Sequence, residues 1–201
     1  MGRTSDARER IVRAAARLFL ARSYVSVGVG EVCAAAEVRK GSFYHFFPSK
    51  ADLAIAVIDL HAAGLHDRLD RGAHADPAEA LFAIPDTIGE IQLGFESRFG
   101  QVVGCPFGNL ATELATCEDA VRAHLSTLFA SWTGKLTATC RRAAEAGLLR
   151  ADTDPDRLAH LLLACAQGTI MLAKVDRSPA AGIPEALRGL INAHLTEEVA
   201  A

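Results

Sequence analysis

The sequence predicts an all-α protein, with a small N-terminal three-helix domain built around a helix-turn-helix and a larger helical bundle behind it. Three observations carry that prediction. Apolar residues recur at helical spacing in segment after segment, beginning with Ile11, Ala14, Ala15, Leu18 and Phe19 at i, i+3, i+4, i+7 and i+8. Half of the 201 residues are apolar, and Ala, Leu, Arg and Glu abound, so the chain can bury a large core and fold without staples. Between Val29 and Pro48 lies the arithmetic of a short helix, a three- or four-residue turn and a second short helix.

The net charge of -3 conceals an asymmetry. Residues 1–50 hold nine Lys plus Arg against four Asp plus Glu, whereas residues 51–201 hold twelve against twenty. A basic module on an acidic body is the pattern of a polyanion binder with a separate regulatory half. The five cysteines, at 33, 105, 117, 140 and 165, are odd in number and far apart. Without a C-x-x-C or His-x-x-x-His pattern, neither a disulfide framework nor a metal site is expected, and no cofactor is called for. The charged start lacks a signal-peptide core, and no run of about eighteen apolar residues suits a membrane span, so the expected home is the reducing cytoplasm.

Helix 1 is expected from Ser5 or Asp6 to about Ala21, because Asp6 followed three residues later by Glu9 is a helix-start signature. Arg3, Arg8, Arg10, Arg13, Arg17 and Arg22 crowd its other faces. Those near the start are placed to lie along a phosphate backbone, although a solvated face explains any single one. A turn at 24–28 leads to helix 2, 29–36, with Val32, Ala35 and Ala36 inward.

The stretch 38–50 then packs four aromatics, a histidine and three cations into thirteen residues, and Pro48 stops it. This is the composition of a short recognition helix. Buried rings lock it to a scaffold while basic and hydroxyl groups stay available for phosphate oxygens. Phe43 and Phe47 read as core.

These residues carry a resemblance. The strings Glu31-Val32-Cys33-Ala34-Ala35-Ala36-Glu37-Val38, Lys40-Gly41-Ser42-Phe43-Tyr44-His45-Phe46-Phe47 and Ser49-Lys50-Ala51-Asp52-Leu53, behind the Arg-rich helix 1, resemble the TetR family of bacterial one-component transcription regulators. The resemblance implies a DNA-binding domain at 1–50 and a ligand-binding and dimerisation domain at 51–201. It implies a homodimer on the double-stranded DNA of a palindromic operator, released by a small-molecule effector. It also implies that Lys40, Gly41 and Ser42 open the recognition helix against bases and backbone, that Tyr44 and His45 touch phosphates, and that Lys50 binds phosphate from the start of helix 4. The chemistry agrees: Gly41 permits close backbone approach, and Lys50 adds its charge to a helix N-terminus that favours anions. There is one departure. Members often supply Ser, Thr or Arg from the start of helix 2, where this chain has Val27, Gly28, Val29 and Gly30, so specificity is expected to rest on Arg39, Lys40 and Ser42.

Helix 4 is expected to run to about Arg71, with Leu53, Val57, Leu60, Gly64 and Leu65 along one side. His61, His66 and His74 lack the spacing of a helical metal pair and read as surface or packing residues. Asp76-Pro77 opens helix 5, with Leu81, Ile84, Ile88, Ile91 and Phe95 apolar and Pro85 a kink. Phe95 and Phe99 near its end read as core, and the resemblance places this region along the ligand cavity.

The stretch Gly104-Cys105-Pro106-Phe107-Gly108-Asn109-Leu110-Ala111-Thr112-Glu113-Leu114 starts another helix at Pro106, leaving Cys105 at its cap, where the dipole lowers a thiol pKa. Cys105 is therefore the candidate reactive thiol, the alternative being a small buried hydrophobe. The string is similar to a TetR branch in which several members answer to electrophiles or reactive metabolites. The candidate ligand-binding or sensing residues are Cys105, Phe95, Phe99, Phe107, Asn109, Trp132 and Lys174.

A long helix from Asp119 to about Ala146 carries Val121, Leu125, Leu128, Phe129, Trp132 and Leu136 inward, and Gly147 ends it. Trp132 reads as a cavity wall or plain core, and Cys140 and Cys165 as packing residues. Asp154-Pro155 opens a helix to about Val175 that is apolar around much of its circumference, followed by a Pro/Gly-rich link, 178–184, and a last helix. Leu158, Leu162 and Ile170 on the first, with Leu187, Leu190 and Ile191 on the last, are expected to form a four-helix interface with a second copy. Lys174 near the end of the first is solvated, or else faces the cavity and holds Cys105 as a thiolate or binds an acidic ligand.

Two other classes fit the residues less well. A cysteine enzyme pairing Cys105 with His124 or His160 lacks an orienting group and any nucleophile motif. A helical protein-binding adaptor has no use for a cationic recognition helix.

Overall fold

The structure is a computed structural model that describes residues 2–71 and 75–197, with side chains at 6–68 and 75–197. The Arg3 side chain and His74, singled out above, lie outside them. Among the described residues the chain forms nine α-helices: α1 (Gly2–Ala21), α2 (Val29–Ala35), α3 (Lys40–Phe46), α4 (Lys50–Arg71), α5 (Pro77–Phe99), α6 (Pro106–Leu114), α7 (Asp119–Glu145), α8 (Pro155–Asp176) and α9 (Gly182–Asn192). Turns and irregular segments join them, and the β pairing among the described residues is an isolated antiparallel bridge between Leu149 and Leu195.

Local chemistry explains most boundaries. The Asp76 carboxylate accepts from the amides of Ala78 and Glu79 at 2.8 and 2.9 Å, and Pro77, lacking an N–H, takes the first helical position of α5. Asp154 and Pro155 repeat that device at α8, with acceptor distances of 2.9 and 3.3 Å to Asp156 and Arg157. Gly147 sits at φ 74° and closes α7 in a Schellman arrangement, its own amide on the Ala144 carbonyl and that of Leu148 on Ala143.

Two boundaries differ from expectation. α1 begins ahead of Asp6, and the acidic pair serves as i,i+4 partners rather than caps: Glu9 meets Arg13 at 2.5 Å, and Asp6 approaches Arg10 at 3.7 Å. α9 begins at Gly182, inside the stretch read as a link, because proline is acceptable in a first turn and Pro184 is buried there. Its ring lies where a Cβ on residue 89 would come within 3.0 Å, so Gly89 lets α5 and α9 approach closely.

The chain packs as two compact units, one of residues 1–65 with 106–128 and one of 66–105 with 129–201. The expected division lies at residue 50, whereas packing groups the first part of α4, α6 and the start of α7 with α1, α2 and α3. In the first unit α1, α2 and α3 close around Ile11, Ala15, Phe19, Val32, Phe43 and Phe47. Cys33 takes the inward place expected of Ala35, which is exposed. On α4 the buried arc runs through Leu53, Ala54, Val57, Ile58 and Ala62, leaving Gly64 outside it. In the second unit Leu81 and Ile84 of α5, Cys140 and Ala143 of α7, Leu158 and Leu162 of α8, and Leu187 and Ile191 of α9 form one contiguous core. Burial, and secondarily Asp156, pushes the Cys140 thiol up to about 12, so it packs as a hydrophobe.

Most of the residues expected at the interface between copies lie in or beside that core. Leu158, Leu162, Ile170, Leu187 and Ile191 are each no more than 4 % exposed within a single copy, and Leu190 is half-buried. A helix apolar all round has two arcs, and these residues form the inner one. α8 is long and apolar enough to cross a bilayer by length and composition alone, yet its inner arc is part of the bundle core. Its outer arc leaves Leu161, Met171, Leu172 and Val175 exposed, the last at 71 %.

Candidate nucleic-acid interface and sensing residues

α2 and α3 are joined by a turn in which Glu37 adopts φ 53° and the Val38 amide reaches back to the Cys33 carbonyl at 3.0 Å. Arg39, in extended backbone, is the residue before α3, whose sequence is Lys-Gly-Ser-Phe-Tyr-His-Phe and whose buried ring is Phe43. Phe43 is fully buried, Phe47 nearly so, and their centroids are 5.7 Å apart. The Arg8 guanidinium lies 5.3 Å over the Phe47 ring, so one arginine of α1 is held against the aromatic anchor.

On the other side Arg39, Lys40, Gly41 and His45 are exposed, Tyr44 is 57 % exposed, and Ser42 is half-buried. A Cβ built on Gly41 meets nothing within 4 Å, so no packing within the protein requires a glycine there. The start of α2 is closed by its own residues. Glu31 accepts from the Gly28 amide at 2.8 Å and from Arg22 at 2.6 Å, and these bonds, the amide first, hold its carboxyl below the usual range.

Lys50 opens α4 as expected, but its ammonium points back into the protein. It donates to the Tyr24 carbonyl at 2.5 Å and lies 4.0 Å from the centroid of the Tyr24 ring. Burial lowers its pKa, opposed by Glu113 and Glu31. Tyr24 is buried in turn, and burial, followed by Glu118, Cys117 and Glu113, pushes its phenol up to about 12. The sequence reading missed Glu113 as a structural partner of this corner. Its two oxygens accept from the amides of Tyr24 and Val25 at 3.2 and 2.9 Å. The residue stands inside the Asn-Leu-Ala-x-Glu string, but nothing in a string tells which distant backbone a carboxylate will reach.

The sensing candidates fall in both units. In the first, Phe107 is buried edge-on to the His61 ring at 6.2 Å. Asn109 there is half-buried and lines a small cleft with Phe19, His61 and Glu113. In the second, Cys105 is buried and directly precedes α6. Phe95 and Phe99 pair at 6.4 Å. Trp132 is buried, with its indole N–H on His66 Nε2 at 3.3 Å and its ring edge-on to Phe129 at 5.4 Å. Lys174 is exposed in the last turn of α8. No group of three His, Cys, Asp or Glu side chains able to hold a metal ion occurs among the described residues.

Comparison with known proteins points one way. A family model described as bacterial regulatory proteins, tetR family, matches residues 11–57, and one described as tetracyclin repressor-like, C-terminal domain, matches residues 93–187. The chain is 34 % identical to the transcriptional regulator AcuR of Cereibacter sphaeroides, over 87 % of this chain and 80 % of that protein. It is 32 % identical to the HTH-type transcriptional repressor DhaR of a Mycobacterium species, over 89 % and 87 %. The crystal structure of a regulatory protein TetR from Rhodobacter sphaeroides superposes with a TM-score of 0.80 at 30 % identity, covering 94 % of this chain and 99 % of that one.

Proposed function

This chain belongs to the TetR family of bacterial transcriptional regulators, and from that premise we propose that it works as a homodimeric repressor which a small-molecule effector releases from its operator. It is a DNA-binding regulator and not an enzyme. The observation that carries the reading is the division at α3: Phe43 and Phe47 inward, and Arg39, Lys40, Tyr44 and His45 outward around a glycine that packing does not require. Helix residues cost about 1 kcal/mol more as Gly than as Ala, so Gly41 makes sense where a nucleic-acid backbone or base edge comes close. Ser42 adds a hydroxyl beside it. Lys50 serves first as an internal strut, and reaches a phosphate only by leaving Tyr24.

The interface between copies is the outer arc of α8, Leu161, Met171, Leu172 and Val175, with Leu190 of α9 at its edge, rather than the inner arc. The effector is read by the C-terminal part, with Cys105, Phe95, Phe99, Phe107, Asn109, Trp132 and Lys174 as its candidate contacts. It must bind one arrangement of the two heads better than the other, since a ligand with equal affinity for both shifts nothing. The place of work is the cytoplasm, where bacterial DNA lies.

The test is selection of duplexes from a random pool by the full chain, followed by titration of the selected duplex against salt. A palindromic site is expected, with log affinity falling against log salt by about 0.9 for each phosphate neutralised. Failure to enrich any sequence, or binding indifferent to salt, would sink the reading.

A further inference from the structure

The turn between α1 and α2 is held from outside the helix-turn-helix. The amides of Tyr24 and Val25 donate to the two oxygens of Glu113, and the Tyr24 carbonyl accepts from the Lys50 ammonium. Glu113 lies in the last turn of α6 and Lys50 opens α4. The backbone at Tyr24 is therefore gripped on its N–H side by one helix and on its C=O side by another. Both grips have a charged partner, which makes them the strong kind of hydrogen bond.

The turn so held is not one the chain adopts freely. Ser23 has φ 142°, outside the basins that residues with a Cβ prefer. Strain of that kind persists only where the surroundings over-determine it. Within the turn the Ser23 and Ser26 hydroxyls bond at 3.0 Å, the Val27 amide donates to the Tyr24 carbonyl at 3.3 Å, the buried Tyr24 ring packs edge-on to Phe19 at 5.2 Å, and Arg22 pairs with Glu31. Glu113 and Lys50 add charged constraints from outside it. Through Glu31, which also caps α2 at Gly28, the turn is continuous with the helix that supports α3.

We propose that Glu113 is a positioning residue for DNA reading: by holding the amides of Tyr24 and Val25 it sets the entry of α2, and so where α3 presents Lys40 and Tyr44, and a shift of α6 that withdraws the carboxylate releases the head. The proposal rests on the regulator reading above and adds to it the joint at which regulation acts. α6 is nine residues long with Glu113 next to its end, so a movement at its start reaches the carboxylate with no flexible segment between.

The test compares the full-length wild type with Glu113→Gln and Glu113→Ala, using the duplex the wild type selects from a random pool together with hydrogen exchange of the free protein. Glu113→Gln keeps the size and removes the charge. It is expected to weaken duplex binding about tenfold and to speed exchange of the amides at 22–28 by a similar factor, with the melting curve and the protection of α8 unchanged. Glu113→Ala is expected to go further in the same direction. Wild-type affinity and wild-type exchange in Glu113→Gln would overturn the proposal, as would a loss of affinity accompanied by equal loosening of α8, which marks a general loss of stability. If the wild type selects no duplex, the regulator reading fails, and the exchange measurement alone decides whether Glu113 holds the turn.

Discussion

α3 and α8 are both helices with a buried side, and they differ in what the other side offers. α3 buries Phe43 and presents Arg39, Lys40, Tyr44 and His45. α8 buries Leu158, Leu162 and Ile170 and presents Leu161, Met171, Leu172 and Val175. The inner faces do the same work, filling a core. The outer faces separate two classes of partner, since cations around an exposed tyrosine suit a polyanion, whereas exposed aliphatic side chains in a row suit another apolar surface.

The comparison breaks most directly at the inner faces. Phe43→Ala empties a fully buried ring site and is expected to cost about 3–5 kcal/mol, with loss of duplex binding. Leu162→Ala in the other core is expected to cost about 2–5 kcal/mol. Urea melts followed by helical signal measure both, and a Phe43→Ala protein that melts like the wild type would show that the rings do not anchor α3.

At the outer face of α8, replacing Met171 and Val175 together by Glu places charges where an apolar partner is expected. Association of two copies should weaken by at least about tenfold, some 1.4 kcal/mol, as read by sedimentation. Each exposed substitution should alter the stability of the single copy by no more than about 0.5 kcal/mol. An unchanged oligomeric state would remove the functional meaning of the outer arc.

Gly41→Ala sharpens the other half. Its Cβ meets nothing in the protein, so helix stability should rise by up to about 1 kcal/mol. Duplex affinity should fall, because the same methyl stands where DNA approaches. Opposite signs in melting and binding are the signature, and a rise in both would place Gly41 away from the groove.

The smallest effect concerns the Arg141–Asp156 pair that joins α7 to α8 at 2.6 Å. The arginine's hydrogen bond, ahead of its charge, holds the Asp156 carboxyl below the usual range. A carboxyl lowered on folding contributes stability that is present above its unfolded value, about 3.9, and is lost as pH falls toward the folded one. The melting difference between wild type and Asp156→Asn should therefore be present at neutral pH and vanish in acid. Both side chains are exposed, so the difference is small.

Much of the architecture was legible because its causes are local. Asp-Pro pairs stood where α5 and α8 begin, the glycine that closes α7 stood at its Schellman position, and Phe43 with Phe47 read as core from their setting in a cationic string. The misread boundaries share a cause as well. Asp6 and Glu9 form a helix-start pattern that serves equally as an i,i+4 partner set, and Pro184 marks a first turn as readily as a link. In the candidate interface Arg39, Lys40, Gly41, Tyr44 and His45 share one exposed side, but the inward turn of Lys50 and the whole part played by Glu113 were beyond reach. Which partner a long charged side chain reaches is decided by packing.

The sequence by itself determined the helices, their caps, the aromatic anchor of α3 and the family, because helix propensity, capping and ring burial depend on neighbours three or four residues away. Tertiary structure alone decided which arc of α8 lies inside, that Lys50 braces Tyr24, and that Glu113 reaches across 89 positions of chain to the same residue. A helical period of 3.6 residues gives the width of an apolar stripe but not which neighbour covers it. Which carboxylate meets which amide follows only once the helices have come together.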